Sequence, residues 1–195
     1  MAPGTTLSGT TLSGGFARPA EDAARAFRGC LEAMARPGQL QSLTGARPPA
    51  PLSVAAGAVA LTLIDTTTPL YLAPSHDSAE LREWIAFHCG APLVDAESAC
   101  FALGTWAALG PVSRFQIGTP DYPDRSATLI VETALPVLPN ARLSGPGIET
   151  TQDAWLPEIA AFQANRAQFP LGFDCYFTAG NGLSALPRST EVEAF

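Results

Sequence analysis

The chain contains no lysine, and its eleven basic side chains are all arginine. That absence removes several chemistries at once. Without an ε-amine there is no Schiff base to pyridoxal phosphate, no P-loop lysine and no lysine general base. Histidine is nearly as scarce, with only His76 and His88. Cysteine occurs at positions 30, 89, 100 and 175, with no C-x-x-C pair. A zinc site would have to be gathered from scattered positions, so free thiols and no metal are expected. No apolar run approaches the ~20 residues of a membrane span. The start shows no basic, apolar-cored leader, so the cytoplasm is the expected compartment. A net charge of −7 argues against nucleic acid or an anionic membrane as partner.

Catalytic signatures are missing as well. There is no H-x-E, no G-x-S-x-G and no acidic metal cluster. No nucleophile–base–orienter set emerges, which points away from an enzyme that works alone.

What is present suits one ordinary domain. At 195 residues with 47% apolar side chains, the chain can bury a core without a metal or disulfide staple. Thr5-Thr6-Leu7-Ser8-Gly9 is repeated at once as Thr10-Thr11-Leu12-Ser13-Gly14. Residues 1–15 are expected to form a flexible arm, and 16–195 the domain.

Pro19 suits the first turn of a helix reaching Ala35, with Glu21 and Asp22 at its positive end. Phe27, Leu31 and Met34 mark an apolar face at helical spacing. Leu40 and Leu43 suggest a short strand. A helix over residues 52–64, apolar all round, should be buried. A strand over 70–73 and a helix over 78–88 follow, the latter capped by Ser75 or Asp77. Strands are expected over 99–103 and 127–133, and a helix over 156–168. Arg142-Leu143 and residues 148–150 flank the turn Ser144-Gly145-Pro146-Gly147. Strands alternating with helices predict an α/β fold with a mixed sheet flanked by helices.

The last segment is the most specific. Two apolar runs, 173–177 and 183–186, flank Thr178-Ala179-Gly180-Asn181-Gly182, which predicts a closing β-hairpin. Asp174 and Arg188 lie at its two chain ends. Arg188 could aim a planar fork at a phosphate or carboxylate, or pair structurally with Asp174 or Glu191. The structural pair is preferred, as is a locally hydrogen-bonded Asp174 over a general base. His88, next to Cys89, complements its helix end. Adjacent helical residues do not face each other, which argues against a nucleophilic pair. His76 is expected in an exposed loop, and Arg28 is expected to be anchored to a carboxylate. The Ser-Gly-Pro-Gly turn is read as a turn rather than an anion nest, because Pro146 removes a donor.

The order of these motifs also resembles a known family. Phe169-Pro170-Leu171-Gly172-Phe173-Asp174 and Leu186-Pro187-Arg188-Ser189-Thr190 resemble the closing signature of the PhnH family, the H subunit of the bacterial carbon–phosphorus lyase core complex. In the same order come Phe16-Ala17-Arg18-Pro19 with Pro37-Gly38, Leu61 to Asp65 with Thr68-Pro69, Phe87-His88 with Ala91 to Val94, Ala127 to Ile130, and Arg142 to Ile148. The likeness runs from about Phe16 to Glu193. Ser189 stands where the family usually has threonine, and residues 1–15 have no counterpart. The resemblance implies a fold like the large domain of pyridoxal-phosphate transferases but without that cofactor. It also implies a homodimer working with the G, I and J subunits of the complex. Alkylphosphonate there displaces adenine from ATP, giving ribose 1-alkylphosphonate 5-triphosphate. On this reading the chain is mainly architectural and lends at most Arg188 and Arg142 to a shared cleft. The alternatives are a homodimeric binding module, or a hydrolase or transferase acting alone through Asp174 and Arg188.

Overall fold

A computed structural model describes residues 13–134 and 138–195. Residues 5–12 of the repeat, and most of the expected arm, therefore lie outside the described residues. Ser13 to Gly15 lie against the body: the Arg47 N–H donates to the Gly14 carbonyl at 2.8 Å, and the His88 ring meets the Ser13 carbonyl.

Helix α1 spans Pro19–Ala35 and β1 is Gln41–Ser42. Helix α2, Val54–Leu63, is followed by β2, Leu70–Leu72, and α3, Ala79–His88. Strand β3, Phe101–Thr105, runs directly into the short α4, Trp106–Leu109, before β4, Thr128–Glu132. Strands β5, Ala141–Ser144, and β6, Gln152–Ala154, precede α5, Ile159–Arg166. The hairpin β7, Asp174–Ala179, and β8, Gly182–Leu186, is followed by β9, Glu191–Ala194.

The main sheet has the order β1-β8-β7-β4-β3-β2. Strands β2, β3, β4 and β7 are parallel, while β8 and β1 join antiparallel, so the sheet is mixed as expected. A second, antiparallel sheet has the order β6-β5-β9. The parallel strands are apolar on both faces, and both faces are covered. Leu103, Ile130 and Tyr176 pack under α1, α2 and α3. Leu129, Val131, Cys175 and Phe177 pack with α4, α5 and the small sheet.

Helix α2 is buried because small side chains let it approach. Ala55, Ala56, Ala58, Val59 and Ala60 are fully enclosed. Its first turn is satisfied from three directions. The Ser53 hydroxyl accepts from the Ala56 N–H, the Gly180 carbonyl accepts from Ala55, and the Glu132 carboxylate accepts from Ser53 itself.

Several details depart from the pattern-based expectation. On α1 the buried face is Ala26, Cys30 and Ala33, whereas Phe27 and Leu31 are 51% and 56% exposed. The sheet selects the residues that permit close approach, not the largest apolar ones. The cap of α3 is Ser78, whose hydroxyl accepts from the Leu81 N–H, rather than Ser75 or Asp77. Helix α5 is shorter than the expected 156–168, because Leu156 is bound to Asn140 instead.

Candidate functional site

The antiparallel register of β7 and β8 brings the two chain ends of the hairpin together. Cys175 lies opposite Leu186, so Asp174 and Arg188 leave the sheet side by side. The Asp174 carboxylate accepts the Arg188 backbone N–H at 2.8 Å and its Nε–H at 3.1 Å through Oδ1. Its Oδ2 accepts from Nη2 at 2.6 Å. Nη1 donates to the Pro123 carbonyl at 2.7 Å, and Nη2 also donates to the Ser126 hydroxyl. Four of the five guanidinium donors are thus used inside the chain. The two side chains are only 13% and 23% exposed. The arrangement ties the hairpin to the loop that enters β4, with the planar fork and bidentate geometry that make arginine–carboxylate pairs strong.

Arg142 and His88 stand elsewhere. Arg142 is on β5, about half exposed, with Asp153 of β6 at 3.5 Å and Glu193 of β9 in register on its other side. Its guanidinium lies over the Phe195 ring, 5.4 Å from the centroid. His88 ends α3, with its ring against Trp84 and Phe87 and its Nε2 3.2 Å from the Ser13 carbonyl. Cys89 turns away from it and points Sγ at the Ala60 carbonyl. Burial pushes the Cys89 thiol up to about 12, so no thiolate forms there near neutrality.

The Ser144-Gly145-Pro146-Gly147 turn packs onto the end of α1. A Cβ on Gly147 would lie 2.0 Å from the Ala35 carbonyl oxygen, so only glycine fits. Arg28, expected to be anchored, makes no hydrogen bond or ion pair with a described residue.

Two polar groups at the carboxyl ends of the parallel strands escaped the sequence reading, and this edge is where open α/β sheets place ligands. Glu132 ends β4, in register with Thr105 and Thr178 on its neighbours. Its Oε1 accepts the Ser53 N–H at 2.6 Å. Burial pushes its carboxyl up, opposed by hydrogen bonds from Ser53 and Thr178. The second group is His76, expected to be exposed but only 4% accessible. Its Nδ1 lies 3.0 Å from the Ser75 hydroxyl, which accepts the Thr105 N–H at 3.1 Å. Burial pushes the imidazole down, towards its neutral form. The sequence signal for Glu132 was an acid closing the apolar run Leu129 to Val131; for His76 there was none, since its loop folds in over the end of β3.

A cavity of about 210 Å³ lies between the hairpin and the small sheet, walled by Leu143, Leu156, Phe177 and Leu186 with Thr133 and Ser184. Among the described residues, no group of three or more His, Cys, Asp and Glu side chains is arranged to hold a metal. No helix among them is long and apolar enough to cross a membrane.

Fold and cluster together define a mixed α/β domain in which the least exposed ion pair among the described residues holds the closing hairpin. The family described as bacterial phosphonate metabolism protein (PhnH) matches residues 14–193, and the chain belongs to this family. It is 41% identical to the alpha-D-ribose 1-methylphosphonate 5-triphosphate synthase subunit PhnH of Rhizobium meliloti (strain 1021), over 96% of this chain and 98% of that protein. It is 27% identical to the putative C-P lyase subunit protein HtxG of Stutzerimonas stutzeri, over 86% of this chain and 84% of that one.

Proposed function

We propose that this chain is a subunit of a bacterial carbon–phosphorus lyase complex and supports ATP-dependent formation of ribose 1-alkylphosphonate 5-triphosphate. The observation that carries this reading is the end-to-end match to the Rhizobium meliloti synthase subunit. The chain works in the cytoplasm with the G, I and J subunits, pairs with a second copy of itself, and binds no cofactor of its own.

Its part is mainly architectural. ATP and a phosphonate together bring about five to six negative charges. A chain at −7 without lysine offers them little. The arginine best placed to serve as an anion hook, Arg188, is already engaged with Asp174, Pro123 and Ser126. Arg142 is the more accessible candidate for a shared cleft, although Asp153 stands beside it.

Two measurements test the reading. Co-expression with the G, I and J subunits should give one complex that is lost when this chain is omitted. Calorimetric titration of the isolated chain with ATP should show no binding in the micromolar range. Micromolar affinity would overturn the architectural role.

A further inference from the structure

The cavity of about 210 Å³ between the closing hairpin and the small sheet is left open by small side chains on β8. Alternation along that strand sends Leu183 and Ala185 into the core under α1 and α2, and sets Gly182, Ser184 and Leu186 on the opposite face. Across the hairpin Ser184 is paired with Phe177, and Gly182 with Ala179. Beside the Phe177 ring the floor therefore carries only a hydroxymethyl group, a methyl group and a hydrogen. Trp155 and Leu156 wall the space from the side of the small sheet. At ~20–30 Å³ per non-hydrogen atom, it holds about seven to ten of them, fewer than a drug-sized ligand brings.

Among the described residues that line this space, Asp153 alone is charged. It is in register with Arg142 and pairs with it at 3.5 Å, on the exposed face of the small sheet rather than the face that buries Leu143. A phosphate or phosphonate group entering the cavity would lose water and meet no cation, which is costly. An uncharged ligand carries no such penalty.

The lining also holds polar groups that the fold does not use. The Ser184 hydroxyl has no hydrogen-bond partner among the described residues. Trp155 has none for its indole N–H, its backbone N–H or its carbonyl. Thr133 donates its hydroxyl hydrogen to the Thr178 carbonyl and keeps its lone pairs. These donors and acceptors stand beside two aromatic side chains, Phe177 and Trp155. Apolar walls that include aromatic rings, with a few convergent polar groups, are what small-molecule sites are made of.

We infer that this cavity binds an uncharged, planar heterocycle with hydrogen-bonding edges, of the size of a purine base. The volume sets the size, the aromatic walls favour a flat ring, and the missing cation excludes a nucleotide's phosphates. The Ser184 hydroxyl and the polar groups of Trp155 match a ring edge that both donates and accepts. The identity of the base rests on the proposed function. Of the species in that reaction, the adenine displaced from ATP is the uncharged one. The cavity is then a site for a product, filled by the free base and closed to ATP, whose phosphates meet a chain of net charge −7.

Amide correlation NMR spectra of the full chain, titrated separately with adenine, ATP, indole and methylphosphonate, test this. Adenine should shift the Ser184 and Trp155 amides and the Trp155 indole resonance, and saturate with a Kd on the order of 0.1–1 mM. ATP and indole should bind at least tenfold more weakly, and methylphosphonate should leave these resonances in place. Ser184→Ala should weaken adenine about three- to tenfold. Ser184→Leu fills the floor, so it should abolish the adenine shifts while Tm stays level or rises. No adenine shift at these resonances, or one that Ser184→Leu leaves intact, overturns the site. Indole binding as tightly as adenine overturns the role of the polar edge, and methylphosphonate binding there overturns the charge argument. Co-expression with the G, I and J subunits reads the proposed function separately. A complex that forms around a chain unable to bind adenine sinks this site alone. Adenine binding by a chain that joins no complex keeps the site for a purine base and removes its place in that reaction.

Discussion

Asp174 and Arg188, fourteen positions apart in the chain, meet through two side-chain hydrogen bonds and a third from the arginine's own backbone. Because the same guanidinium also holds Pro123 and Ser126, the pair joins three separate stretches of chain. Its first consequence is mechanical. Arg188→Ala leaves a largely enclosed carboxylate without its cation, which costs about 3 kcal/mol. For a domain of this size that lowers Tm by several degrees. Assembly with the partner subunits at low temperature should survive. An unchanged Tm combined with lost activity of the assembled complex would instead make Arg188 a ligand-facing group.

Glu132 predicts a pH effect of definite sign. Its carboxyl is pushed above the ordinary value of 4.5, so the folded state holds this proton more tightly than the unfolded chain. Stability from this group is fully present below 4.5 and is lost as pH rises through the folded value. Glu132→Gln keeps an acceptor for the Ser53 N–H and removes the buried charge. Its urea stability relative to wild type should therefore improve from pH 4.5 upward. A pH-independent difference between the two proteins would show that burial does not govern this carboxylate.

His76 works in the opposite direction. Burial holds the imidazole below its ordinary value of 6.5, so the unfolded chain takes up a proton that the folded one refuses. The contribution of the neutral ring is present above 6.5 and is lost as pH falls towards the folded value. His76→Asn should flatten the stability profile just below 6.5, as followed by thermal melts. A variant whose profile parallels that of wild type would refute the assignment.

The four thiols should separate cleanly. Cys100 is exposed, while Cys30, Cys89 and Cys175 are buried. Burial pushes Cys30 and Cys89 to about 12 and raises Cys175 as well. An aromatic disulfide reagent near neutral pH should titrate one thiol quickly in the native protein and all four in denaturant. Two fast thiols would mean that one buried site opens readily.

Local chemistry made much of this fold legible in the sequence. Pro19 and the Arg36-Pro37-Gly38 stop set the bounds of α1, and Gly180-Asn181 with its flanking apolar runs set the closing hairpin. The pairing of Asp174 with Arg188 followed from that hairpin's register. Strand β9 was not legible, since the alternation of Glu-Val-Glu-Ala covers only four residues, too few to stand out, and the strand forms where β5 offers it an edge. The outward turn of Phe27 and Leu31 was missed for a different reason. Periodicity reports that a helix has an apolar face, but whether the larger or the smaller apolar residues face inward depends on how closely the sheet is approached. Arg28 was misjudged with them, as an anchored cation on what proved to be the open side. The burial of His76 depends on a loop closing over β3, which no pattern within that loop encodes.

The order of the main sheet also has a consequence in time. Strand β1 and the end of α1 are seated by β8: the Gly38 N–H reaches the Ala185 carbonyl and the Leu43 N–H reaches that of Asn181. Some 150 residues separate these partners, roughly 8–30 s of ribosomal elongation. Throughout that interval the first helix can pack on α2 but has no strand to settle on, so part of its inner face stays open to the solvent. The first helix is therefore fully seated only after a hairpin made far later in the chain has formed.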